Sequence, residues 1–180
     1  MHKNSASRVT AALAGILLAP VVTHAADNPG AHQHGHAVLQ IAIDGNTAEV
    51  ILRSPAYNLL GLEHSPRTGQ QRQQLAGLEQ WATSTPLVNT VEGNCITEEA
   101  SVQSAWPETS RQQGHTANGH SDLEIFQSLS CNGLADQNTL TTPLTDRFPA
   151  LEHLEVQWIS SGVVGLTTLE PGEVRIRIAD

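Results

Sequence analysis

Three imidazoles stand at two-residue spacing in His32-Gln33-His34-Gly35-His36, directly ahead of an alternating apolar stretch. Imidazole nitrogens without thiolate suit Zn(II), with Cu(II) and Ni(II) as competitors that ligand type does not exclude. Residues i and i+2 of a strand lie about 6.6–7 Å apart, so two imidazoles can converge on one tetrahedral ion with bonds of about 2.0–2.1 Å. Three in a straight strand span roughly 13 Å and share an ion only if Gly35 bends the chain, which glycine allows. The expected unit is a pair, His34 with His36 or His32 with His34, completed from elsewhere. If the strand runs back through them, all three project from the face opposite Leu39 and Ile41. Imidazole binds metal only when neutral, so affinity should fall below about pH 6.5. The competing reading is a histidine-bearing terminus that binds divalent ions loosely.

Other residues add donors. Glu63-His64 supplies a third ligand in His64, with Glu63 as a fourth ligand or the group that orients one; the plainer alternative is a cap for the next helix. His115 and His120, with Asp122 close behind, offer a weaker accessory site or a solvated loop. His153 starts an alternating stretch beside Glu155 and reads as a surface histidine. Cys95 and Cys131 are the only cysteines, and in an exported chain two cysteines pair by default. Such a bridge contributes roughly 3–4 kcal/mol in the chain-entropy model. A Cys–Cys metal site competes, but neither residue has a CxxC or CxH neighbour. Catalytic patterns are missing: there is no GxSxG, no HExxH, no glycine-rich phosphate loop and no free-cysteine nucleophile signature.

The elements that must hold these groups are mostly strands. Ala37, Leu39, Ile41 and Ile43 alternate with Val38, Gln40 and Ala42, and Asp44-Gly45-Asn46 is a turn. Ala48, Val50 and Leu52 then alternate with Glu49 and Arg53, which predicts a hairpin whose second strand ends beside roughly His36. Residues 54–61 read as a single-turn or irregular element. Residues 67–82 form an amphipathic helix on Leu75, Leu78, Trp81 and Ala82, ended by Pro86. A strand over 95–102 precedes a polar loop at 104–121, and Leu123, Ile125, Gln127, Leu129 and Cys131 share one strand face. A short helix over 142–148 and strands around 153–158, 163–169 and 174–178 complete the chain. The predicted class is α+β: a mainly antiparallel sheet of about seven strands, one or two helices and one disulfide.

The first 25 residues read as a signal peptide. Lys3 and Arg8 form the basic region, residues 9–22 are mostly apolar, and Thr23-His24-Ala25 ends on a small residue. Residues 26–180 then form one exported domain with no second long apolar run and no membrane span. Cleavage leaves seven arginines and no lysine against 18 carboxylates, a net charge of −11. That charge repels nucleic acid and anionic lipid and is compatible with a divalent cation as partner.

The blocks His-x-His-Gly-His-Ala-x-Leu-x-Ile-Ala (32–42), Asp44-Gly45-Asn46 and Ser-Pro-Ala-x-Asn-Leu-Leu-Gly-Leu-Glu-His-x-Pro (54–66) resemble the ZrgA-like periplasmic zinc-uptake proteins of Gram-negative bacteria. The cysteine pair and the stretch from Phe148-Pro149 through Leu154-Glu155-Val156-Gln157 extend the likeness over nearly the whole mature chain. The resemblance implies a non-enzymatic, periplasmic zinc-binding protein, accessory to zinc import through an ABC transporter or its solute-binding protein. Members usually carry a long central His, Asp and Glu tract. Here only His115, His120, Glu108 and Asp122 remain in that region, which shifts weight onto His32, His34, His36 and His64. The alternatives are a structural or partner-binding periplasmic domain with incidental histidines and, last, a zinc-dependent hydrolase using Glu63.

Overall fold

Side chains that alternate in the sequence alternate in space. In the computed structural model, which describes residues 34–104, 106 and 122–178, strand β1 (His36–Asp44) buries Ala37, Leu39 and Ile41. Gly45-Asn46 turns the chain into β2 (Thr47–Pro55), which buries Ala48, Val50 and Leu52 on the same side. The register pairs Val38 with Arg53, and continued two residues further it brings Pro55 opposite His36. The hairpin therefore returns the chain to the histidines, as its pattern predicts.

Helix α1 (Ala56–Leu60) follows at once and ends on Gly61 in the left-handed region. Helix α2 (Gly69–Ser84) starts on a capping box in which Thr68 accepts from the Gln71 N–H and the Gln71 side chain accepts from the Thr68 N–H. Its buried contribution is narrow, Leu78 and Ala82, with Leu75 and Trp81 half-buried. Next come β3 (Asn89–Thr90), β4 (Cys95–Ser104), β5 (Asp122–Cys131), β6 (Thr139–Thr141), α3 (Leu144–Arg147), β7 (His153–Ser160), β8 (Val163–Leu169) and β9 (Arg175–Arg177).

Six strands make one sheet in the order β4-β5-β2-β1-β7-β8; β3, β6 and β9 make a second. The class is α+β and mainly antiparallel, with Cys95 and Cys131 disulfide-bonded as a directly opposed cross-strand pair. Three details differ from the sequence reading, the first being three α-helices among the described residues instead of one or two, since residues 56–60 also close a full helical turn. Nine strands are present among the described residues instead of about seven, because β3 and β6 span two and three residues and carry no periodicity. The β1–β7 pair is parallel. Its partners are separated by more than a hundred residues, so no hairpin signal announces it.

The core lies on one face of the large sheet. Leu39, Leu52, Leu123, Ile125, Leu154 and Val156 are fully buried there, each side chain contributing about 1.5–3 kcal/mol by leaving water. Gln127 shares that face and is also fully buried. Its amide accepts from the Leu87 N–H and donates to the carbonyls of Ala82 and Thr85, tying the end of α2 to β5. A buried amide is stable there because its partners are complete. The opposite face carries Val38, Gln40, Ile51, Arg53, Glu155 and Gln157, and at its end His36.

By its internal contacts the chain divides at Ala31, and all described residues belong to the unit His32–Asp180. No helix among the described residues is long and apolar enough to cross a membrane. The predicted signal peptide (1–25) and most of the polar loop (104–121) lie outside the described residues.

Candidate metal centre

Strand β1 begins at His36, and His34 precedes it in a turn through Gly35, whose φ is +84°. A Cβ at Gly35 would also meet the Glu152 side chain at 2.9 Å. Only glycine combines that backbone with that close approach. The turn breaks the two-residue alternation, so His34 and His36 face different neighbours.

Asn58 holds the turn in place. Its side chain is 3% exposed. Oδ1 accepts from the Gly35 N–H at 2.9 Å, and Nδ2 donates to the His36 carbonyl at 2.8 Å and to Ser54 Oγ at 3.2 Å. From the other side, the Gly35 carbonyl accepts from the N–H groups of Glu152 and His153 at 2.7 and 2.8 Å. The backbone carrying His34 and His36 is thus clamped between α1 and the start of β7. The Ser54-Pro55-Ala56-Tyr57-Asn58 stretch has a physical task here: it delivers one amide to the histidine turn.

The side chains form two groups. His34 stacks on Tyr57, with ring centroids 4.5 Å apart and planes inclined by 21°. Its Nε2 lies 3.4 Å from Glu63 Oε1, and both side chains are about half exposed, at 44% and 55%. His36 faces His153, its in-register neighbour on β7, with ring centroids 4.6 Å apart and planes at 43°. His153 Nδ1 lies 2.9 Å from Glu170 Oε1. Because a carboxylate can only accept, Nδ1 carries the proton and Nε2 is the nitrogen left for a metal. The sequence reading treats His153 as a surface histidine and never mentions Glu170. The pairing that recruits them is tertiary.

His64 sits apart from these contacts, with Nδ1 3.0 Å from the Ser65 carbonyl. Asp122 opens β5 across Pro55 from His36 and lines the same shallow groove. His32, His115 and His120 lie outside the described residues. Among the described residues, no three or more His, Cys, Asp or Glu side chains are arranged to hold a metal ion as they stand. The donors that are present, imidazole with carboxylate and no thiolate, match the borderline preference of zinc.

Among the described residues, the one arginine lining that groove is occupied. Arg53 donates to Glu124 and to Gln40 at 2.7 Å each, and Gln40 donates to Gln157, which donates to Glu155. This ladder crosses four strands one row from His36 and engages the guanidinium with Glu124 and Gln40.

Compared with known families, residues 31–178 match the model described as "ZrgA family zinc uptake protein". No individual curated protein matches the chain. The matched span covers the histidine turn, the Asn58 clamp, both cysteines and the β7–β9 region, and on that ground the chain belongs to the ZrgA family of zinc uptake proteins.

Proposed function

We propose that this protein binds zinc in the periplasm and buffers it or hands it on, as a non-enzymatic accessory to import through an ABC transporter. Zinc is its cargo, and the ligands are drawn from His32, His34, His36 and His64, with Glu63 as ligand or orienting group and His115 and His120 as a weaker accessory pair. The observation that carries the reading is the clamped turn: a buried amide and a left-handed glycine are committed to presenting exposed histidines beside a carboxylate. A terminus with incidental histidines needs no such device. The opening residues read as an export signal, and the acidic mature chain favours a cation as partner.

Partial, exposed ligand sets suit a carrier. A closed four-ligand shell retains its ion, whereas open positions let an acceptor displace water and take the ion over. Zinc titration calorimetry on the exported protein and on a variant with both His34→Ala and His36→Ala tests the reading. The tightest binding should disappear in the double variant. An unchanged isotherm would sink the assignment.

A further inference from the structure

Resting on that reading of the chain as a zinc carrier, we infer that His36 and His153 form a zinc-binding pair across the parallel β1–β7 ladder, with Glu170 orienting His153. Neighbouring strands run about 4.8 Å apart, so two side chains in register on one face start at the separation two ligands of one ion require. Imidazoles bound to a single zinc by bonds of about 2.0–2.1 Å at a tetrahedral angle have centroids about 5 Å apart. His36 and His153 stand at 4.6 Å. Their planes are inclined by 43° and both rings reach solvent, so the pair would close on one ion by side-chain rotation.

Three constraints prepare the pair. The Gly35 carbonyl binds the His153 N–H, and Asn58 binds the His36 carbonyl, so both backbones are fixed relative to one another. Glu170 accepts from His153 Nδ1, which selects the tautomer with Nε2 as ligand. Arg53, the cation in the adjacent row, is already engaged by Glu124 and Gln40. Two protein ligands leave the remaining positions to water or to a donor from an acceptor protein, as exchangeable cargo requires. The pair is separate from the His34–Glu63 contact, so the clamped turn serves one group on each side.

The test measures zinc affinity of the exported protein, its His153→Ala variant and its Glu170→Gln variant by competition with a chromophoric chelator. In parallel, long-range proton–nitrogen spectra follow the histidine ring nitrogens of the unsubstituted protein, a readout that does not depend on any variant folding. The expected result is a loss of about 100-fold at one site for His153→Ala and about 10-fold for Glu170→Gln, with zinc shifting the ring nitrogens of His36 and His153. If both variants bind within twofold of the original while zinc moves other histidines, the pair is overturned and the carrier reading stands. If the unsubstituted protein binds no zinc, both fall.

Discussion

Asn58 makes three hydrogen bonds from one buried amide, and two of them go to backbone groups on either side of Cα36 and Cα35. Asn58→Ala leaves the Gly35 N–H without its acceptor in a site closed to water. A buried unsatisfied group costs about 1–3 kcal/mol. That loss should appear as a lower urea midpoint, and releasing the turn should weaken zinc binding about 10- to 100-fold, the usual effect of removing a group that orients ligands. Asn58→Asp should not rescue affinity, because a carboxylate oxygen would replace the donor that faces the His36 carbonyl. If Asn58→Ala keeps full zinc affinity, the clamp is merely structural. At this scale the sequence offers His32, His34, His36 and His64, with Glu63, as candidate donors by type and spacing. It passes over His153 and Glu170, since nothing local distinguishes a strand-leading histidine that meets another from one that meets water.

Strands separate the chemistry from the covalent reinforcement. Cys95 and Cys131 are opposed near the β1–β2 turn, where the Cys131 N–H donates to the Asn46 carbonyl. His36 opens β1 at the other end, some eight residue steps or about 26 Å of strand away. Replacing both cysteines by serine should therefore lower unfolding free energy by roughly 3–4 kcal/mol, from the chain entropy of a 36-residue separation. Zinc affinity of the folded fraction should stay within about twofold. Calorimetric titration below the melting range checks this, and a large affinity loss would mean that strain travels along the sheet. Elements with a full period were legible: the β1–β2 hairpin, β5 down to its alternate buried positions, and α2 with its stop before Pro86. Gln127 kept its place on the apolar face of β5 because α2 and the following loop supply every partner its amide needs.

The described domain presents His36 and His153 side by side at the start of two neighbouring strands of an acidic, mainly antiparallel fold, with His34 in the turn just before. Zinc that binds only the native state must stabilise it, by about 2.7 kcal/mol at a free concentration one hundred times Kd. For a domain of this size that is a rise in Tm of roughly 5–11 °C. Differential scanning calorimetry with and without zinc reads it directly, and an unmoved Tm would favour a partner-binding domain with incidental histidines. The sequence by itself determined the strand and helix faces, the hairpin that returns to the histidines, the cysteine partners, the α+β class and the family resemblance. All of these rest on local periodicity, turn chemistry or motif. Only the tertiary structure decided that His34 turns to Tyr57 and Glu63, while His36 turns to His153. The first follows from a left-handed Gly35 locked by Asn58, and the second from a parallel pairing between strands more than a hundred residues apart. A pattern of period two says which face a residue takes. It carries no information about which distant strand will lie beside it.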